Sequence, residues 1–269
     1  MGNFIAELGA CHQHEVGRTK ELILDLLECG VDIIKFQYWS DSVQLAEQRD
    51  FTLLAAQNYT EWATDLDFIE EMSEFISEQG GGVMCSTFLP QDAATISPFV
   101  DCFKIASLEA SDIVTGKLDL FKAILKAGRG LPVYISTGHM TQPNLTNLLR
   151  LKRGEWEDLK PSAPIYLLHC TVAYPCPLEE LHLSVIRNNY LDGLSDHSAN
   201  ILTGAIAYCC GARHFEFHVR ASWTSNQNPD YLHSLTVKQV KEYISSIRAT
   251  KVMLGNGVKA ITKTEEQYG

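Results

Sequence analysis

No apolar run in this 269-residue sequence approaches the ~20 residues that a membrane-spanning helix needs. Basic residues are scarce: 22 Lys and Arg stand against 33 Asp and Glu, a formal net charge of −11. Such a surface repels nucleic-acid phosphates and anionic lipid, so neither nucleic acid nor a membrane is expected as a partner. A small anionic substrate is not excluded, because a few buried lysines set the local field of a pocket. The eight cysteines form no CxxC pair and no regular spacing. Cys29, Cys85, Cys102, Cys170, Cys209 and Cys210 lie in apolar surroundings and are expected as reduced core residues, with Cys11 and Cys176 in loops. No basic leader precedes the first apolar stretch at Phe4. No signal peptide is therefore expected, and the expected location is the cytoplasm.

What is present is a regular alternation. Short β-rich or continuously apolar runs occur at Phe4–Leu8, Asp32–Gln37, Val83–Phe88, Cys102–Ser107, Leu131–Thr137, Pro164–Thr171, Tyr190–Ser195 and Arg213–His218. Runs of this kind suit strands buried on both faces. Between them lie helical patterns, among them Thr19–Cys29, Leu66–Gln79, Lys117–Ala127, Leu178–Asn189, Ile201–Cys210 and Val237–Leu254. Eight strands alternating with helices predict an α/β fold, the closed (β/α)8 TIM barrel, which is typically about 250 residues long. A doubly wound open sheet would announce itself with a glycine-rich turn after the first strand. Gly9-Ala10-Cys11-His12 does not supply one. The barrel is expected over residues 1–255, with 256–269 as a C-terminal tail and no second domain. The stretch Tyr38–Asp65 is long for a strand-to-helix loop and is expected to cover the barrel mouth.

In such a barrel the C-terminal strand ends form the active-site mouth. His197 and His218 stand at the exits of two consecutive strands, where two imidazoles can grip one divalent metal. Other strand ends deliver Glu7, Lys35 and Gln37, Ser86 and Thr87, Lys104, Ser107 and Glu109, Ser136 to His139, His169 to Thr171, Tyr174 and Ser195. So many polar groups on one rim are expensive unless a ligand or a network satisfies them. Lys35 and Lys104 fall inside apolar strands and need anions. With the nearby hydroxyls they suit a phosphate or carboxylate. The plainer alternative pairs each lysine with Glu7 or Glu109, but it leaves the histidines and hydroxyls unexplained. Of the other histidines, His12 and His14 could touch a substrate, whereas His169, His182, His214 and His233 are expected mostly as structural or surface residues.

Several strings carry a resemblance. Ala6-Glu7-Leu8-Gly9, Ile34-Lys35-Phe36-Gln37, Lys104-Ile105-Ala106-Ser107, Ile135-Ser136-Thr137-Gly138, Leu167-Leu168-His169-Cys170-Thr171 with Tyr174-Pro175, Leu194-Ser195-Asp196-His197, and Phe215-Glu216-Phe217-His218 with Asn228-Pro229-Asp230 run in order along nearly the whole chain. They resemble the sialic acid synthase (N-acetylneuraminate synthase) family, in its catalytic barrel domain only. The family's C-terminal antifreeze-like domain, which reaches a partner subunit, is not expected here. A homodimer or a separate partner domain is therefore an open expectation.

The resemblance implies condensation of phosphoenolpyruvate with an open-chain N-acetylated amino sugar or related aldose, releasing phosphate and giving a 2-keto sugar acid. It implies Mn²⁺ or Mg²⁺ on His197 and His218. Lys35, Thr87, Lys104, Ser107 and Ser195 would hold phosphoenolpyruvate. Glu7, Gln37, Glu109, Tyr174 and Asp230 would contact the sugar, with Glu7 or Glu109 managing proton transfer. The chain departs from the pattern at Val172, where the family has Asn or Ser, at His139 in place of Met, and at Phe217 in place of Lys or Arg. Two alternatives stand beside this expectation. One is a Schiff-base aldolase using Lys35 or Lys104, which borohydride trapping would reveal. The other is a silent relative that binds a sugar or keto acid without turning it over.

Overall fold

The computed structural model describes residues 2–49, 59–157 and 159–268. Eight strands form the wall of a barrel: β1 (Phe4–Glu7), β2 (Ile33–Tyr38), β3 (Gly82–Thr87), β4 (Cys102–Ile105), β5 (Val133–Ser136), β6 (Ile165–Cys170), β7 (Gly193–Asp196) and β8 (His214–Arg220). Each pairs in parallel with the next, and β1 pairs with β8 through Phe4 opposite Phe215 and Glu7 opposite His218, which closes the cylinder. The fold is the (β/α)8 TIM barrel. A two-residue β9 (Leu235–Thr236) adds to the far end of β8, with Val219 opposite Leu235.

The pleat explains why the strand sequences are apolar throughout. Successive side chains point to opposite faces. One set, including Phe4, Ala6, Ile34, Phe36, Val83, Phe103, Ile105, Ile135, Leu167, Leu194, Phe215 and Phe217, packs under the surrounding helices as the main core. The alternate set fills the barrel: Ile5, Ile33, Met84, Cys102, Tyr134 and Leu168 form a separate apolar plug. Each fully buried Ile, Leu or Phe contributes about 1.5–3 kcal/mol. One register step nearer the C-terminal rim, the inward set turns polar. The plug therefore forms the floor of the site.

The helices are α1 (Val16–Cys29), α2 (Ser42–Gln48), α3 (Leu66–Glu78), α4 (Asp92–Ile96), α5 (Ser107–Thr115), α6 (Asp119–Gly128), α7 (Gln142–Lys152), α8 (Ser184–Asn189), α9 (Thr203–Cys209) and α10 (Val237–Leu254). In α1, Leu22, Ile23 and Leu26 supply the buried stripe, and Gly30, at φ 95°, ends the helix in the left-handed conformation. α10 starts from a capping box between Thr236 and Gln239.

Four local expectations are revised. Leu178–Asn189 is not one helix but a 3-10 turn at Leu178–Glu180 followed by α8, separated by His182 at φ 43°. Tyr190 is not a strand residue; it caps α8 at φ 53°, fully out in solvent, and β7 begins at Gly193. Leu151–Ser162 reads from the sequence as an exposed connection, yet Leu151 is buried at the end of α7. The cysteine assignment also shifts, because Cys209 is exposed and Cys29 half-buried, while Cys11 and Cys176 lie in loops as expected and are buried there. All eight are free thiols. The expected cover over the mouth, Tyr38–Asp65, lies partly outside the described residues, Phe51 included. Its described part forms a small satellite core in which Trp39 meets Tyr59 at 5.7 Å and Phe88 at 5.6 Å. No helix among the described residues is long and apolar enough to cross a membrane.

Candidate active site

A cleft of about 590 Å³ opens at the C-terminal rim, and nearly every strand sends a side chain into it. Glu7 comes from β1, Lys35 and Gln37 from β2, Ser86 from β3, Lys104 from β4, Ser136 from β5, Cys170 from β6, Ser195 from β7, and Glu216 and His218 from β8. Ser107 enters from the first turn of α5, Val172 and Tyr174 from the loop after β6, His197 from just beyond β7, and Asp230 from the loop after β8.

The floor of the cleft is an ion network. Lys35 is buried between Glu7 and Glu216, with its Nζ 3.0 Å from Glu216 Oε1. Lys104 Nζ lies 3.2 Å from Glu216 Oε2, so one carboxylate spans both lysines. Burial alone would push Glu216 upward, but Lys104 and Lys35 outweigh it and hold the carboxyl down at about 2. Burial pulls the Lys35 ammonium below its ordinary value against the opposing charge of Glu216. Glu7 also accepts the Gly9 N–H at 2.6 Å, which fixes the carboxylate at the end of its strand. Nearby, the buried Ser136 hydroxyl has no partner among the described residues, while Ser107 Oγ accepts the Gly138 N–H at 3.1 Å.

The opposite side of the cleft is built from imidazoles. Burial drives His197 down and His218 well down, so both rings are neutral and carry a free lone pair. The His197 Nδ1–H donates to the Thr171 carbonyl at 3.1 Å, which leaves Nε2 as the lone-pair nitrogen. The two rings lie 5.3 Å apart, and Tyr174 packs over His197 at 4.4 Å. Ligand atoms of His218, Asp230 and His233 lie within 4.8 Å of one another. Among the described residues, the buried Nδ1 atoms of His218 and His233 have no hydrogen-bond partner. Two imidazoles and a carboxylate so arranged fit a divalent cation.

Asp230 reaches the cleft because the chain leaves β1 on a glycine. Gly9 has φ 47°, and a Cβ there would sit 2.1 Å from Asp230 Oδ2. The same oxygen accepts the Ala10 N–H at 2.8 Å. Gly9→Ala is expected to displace Asp230 and cost about 1–3 kcal/mol through strain and overpacking. Thermal unfolding together with Mn²⁺ binding checks this: unchanged metal affinity would show that Asp230 had not moved.

Ten of the twelve residues expected from sequence are thus brought together: Glu7, Lys35, Gln37, Lys104, Ser107, Tyr174, Ser195, His197, His218 and Asp230. Two are not. Thr87 follows Ser86 on β3, and the pleat turns it outward beside Tyr38, so Ser86 takes the cleft position. Glu109 sits in a neighbouring groove of about 450 Å³, where it accepts the Arg49 Nε–H at 3.0 Å. Its strand-end position in sequence is one turn into α5 in space, past the rim. His12 is also absent from the cleft; it stacks on Phe68 at 4.7 Å and pairs with Thr64. His14 lies in a separate surface groove.

Residues missed from sequence include Glu216, Arg49 and His233, while Ser86 and Ser136 were read there only as strand-end hydroxyls. Glu216 was legible in principle, since His214, Glu216 and His218 place a polar group at every second position of a buried strand. His233 carried no such signal, because a loop histidine is placed only by tertiary structure.

An eight-stranded parallel barrel with lysines, carboxylates and histidines converging at its C-terminal rim is the architecture of a barrel enzyme site. The chain belongs to the NeuB family, whose model matches residues 22–259. It is 29% identical over 266 residues to an uncharacterized protein of Methanocaldococcus jannaschii, covering 95% of this chain and 72% of that one. It is 28% identical over 283 residues to the pseudaminic acid synthase of Campylobacter jejuni, covering 96% and 78%. The crystal structure of an N-acetylneuraminic acid (sialic acid) synthetase from Leptospira borgpetersenii matches with a TM-score of 0.82 at 21% identity, over 99% of this chain and 90% of that one. The kinship is with enzymes of carbohydrate biosynthesis.

Proposed function

We propose that this protein condenses phosphoenolpyruvate with the aldehyde of an N-acetylated amino sugar or related aldose, forming a 2-keto sugar acid and phosphate. The observation that carries this reading is the pair of buried lysines, Lys35 and Lys104, held by one shared carboxylate on the floor of a cleft whose other wall is imidazole. A small dianion that enters above the lysines meets two ammonium groups and the unpartnered Ser136 hydroxyl. Ser107 and Ser195 add donors on the same side. The acceptor sugar then lies toward Gln37, Tyr174 and Asp230. The bond that forms joins the enol carbon to the aldehyde carbon. Water adds to the cationic centre left behind, and carbon–oxygen cleavage of that adduct expels phosphate.

His197 and His218 would hold a divalent ion, Mn²⁺ or Mg²⁺, which when bound supplies Lewis-acid polarisation of the aldehyde oxygen. Glu7, buried beside Lys35, is placed to manage a proton at the developing hydroxyl. Val172 lines the cleft with an apolar surface where a polar contact to phosphoenolpyruvate would otherwise stand.

The test is phosphate release from phosphoenolpyruvate with Mn²⁺, across a panel of N-acetylated hexosamines and unmodified aldoses, with and without chelator. Sugar-dependent, chelator-sensitive release is the expected result. No binding of phosphoenolpyruvate at any sugar concentration would sink the proposal, and borohydride trapping of a lysine adduct would replace it with aldolase chemistry.

A further inference from the structure

We propose that His233 is a further protein ligand of the metal held by His197 and His218, entering beside His218 together with the Asp230 carboxylate. This inference rests on the metal reading above and adds a ligand that the strand-end pair does not contain.

The observation is a cluster of buried imidazole nitrogens without hydrogen-bond partners among the described residues. His233 is 3% exposed, and both its ring nitrogens belong to that cluster. Its Nε2 lies 3.4 Å from Asp230 Oδ1, at ion-pair distance but without hydrogen-bond geometry. His218 is 7% exposed, and its Nδ1 is likewise orphaned. The two rings lie 4.5 Å apart at a steep angle of 71°. A buried polar group left unpaired costs about 1–3 kcal/mol. Several on touching residues are an unusual burden unless one ligand satisfies them together. A single cation does so, because each residue offers one donor atom and those atoms lie within 4.8 Å of one another.

The loop that carries His233 is fastened as a ligand-bearing loop should be. Asn228 donates to the Ala10 carbonyl at 2.8 Å and accepts the Asp230 N–H at 3.0 Å. Ser234 donates its hydroxyl proton to the Asp230 carbonyl at 2.6 Å. Arg220 donates to the Tyr231 carbonyl at 2.8 Å and also binds that of Ser234. Directly after Ser234 the chain locks onto β8 through β9. His233 and Asp230 are thereby held three residues apart by bonds that do not involve their side chains. Such an arrangement positions donors before the ion arrives.

The donor set also bears on the ion. Mg²⁺ favours oxygen ligands and retained water, whereas imidazole nitrogen suits Fe²⁺, Ni²⁺, Cu²⁺ and Zn²⁺. With His233 in the shell, the centre selects a first-row transition ion over Mg²⁺.

The test uses Mn²⁺ as probe on the full chain after chelator stripping. Bound nitrogen donors are counted from ¹⁴N couplings in pulsed electron paramagnetic resonance, alongside a binding titration. Wild type, His233→Gln, His233→Phe and His218→Gln are compared, with unfolding midpoints as the folding control. The two His233 variants differ in bulk, so failure of one to fold leaves the other as the test. The expected result is loss of one nitrogen coupling in either His233 variant, with Mn²⁺ binding weakened by at least ~10-fold. Unchanged couplings in the His233 variants, with loss in His218→Gln, would overturn this inference and leave the proposed function standing. Failure of wild type to bind Mn²⁺ at all would overturn both.

Discussion

Glu216→Gln is expected to destabilise the protein by about 3–5 kcal/mol, the usual consequence of removing one partner from a buried ion network. In a chain of this size that lowers the unfolding midpoint by on the order of 10 °C. The substitution is nearly isosteric, so the effect is electrostatic. Lys104 loses its buried carboxylate and Lys35 keeps only Glu7. The same charge predicts how the difference varies with pH. The Glu216 carboxyl sits at about 2 in the folded chain, against an ordinary 4.5. A depressed folded value stabilises fully above the ordinary value, and that stabilisation is lost as pH falls through the folded one. The gap between wild type and variant should therefore be constant above about pH 5.5 and shrink as the pH falls toward 2. Denaturant midpoints measured across that range decide it. A gap that did not narrow in acid would mean that Glu216 is not held ionised by the lysines.

The second large effect is expected at His218. His218→Ala should abolish metal-dependent turnover, with a loss beyond the ~10–100-fold typical of groups that only support a metal ligand. The fold should survive, because the side chain lies at the rim, above the plug of Ile5, Ile33, Met84, Cys102, Tyr134 and Leu168 that fills the barrel. Far-ultraviolet dichroism and Mn²⁺ titration separate the two properties. A variant that folds, binds the metal as wild type and turns over normally would remove His218 from the centre. His197→Ala should give a comparable loss if both strand-end histidines serve the same ion.

The strand order and the barrel were legible because every strand is a short buried run bounded by polar turns, so the periodicity needed no tertiary information. Most of the site was legible for the same reason: once the strands are placed, Glu7, Lys35, Lys104, Ser195 and His218 fall at their C-terminal ends. Legibility failed where a single residue of register decides the face. Thr87 and Ser86 are adjacent hydroxyl residues, and only pairing with Gln37 and Lys104 shows that Ser86 faces inward. It failed again where the chain turns before the residue appears, as with Glu109 one turn into α5. The helices α5 and α7 were not anticipated, because each buries only three residues and carries a weak apolar stripe. His233 was out of reach, since its neighbours come from β8, from the segments after β6 and β7, and from its own loop folded back.

The seam between β1 and β8 bears on how the protein comes into being. Ala10 and Asp230 are 220 positions apart in the chain, yet one hydrogen bond joins them at the rim, and Ala10 and Asn228, 218 apart, are joined by another. The lysines come from the first half of the polypeptide, while His197, His218, Asp230 and His233 all come from the last third. A ribosome-bound chain lacking its last βα unit would hold the cationic floor with Glu7 but without Glu216 and the His218 imidazole. Contacts this distant in sequence form slowly, since loop closure must precede any reward from pairing. Competence for catalysis should thus arrive late and all at once, when the eighth strand docks against the first.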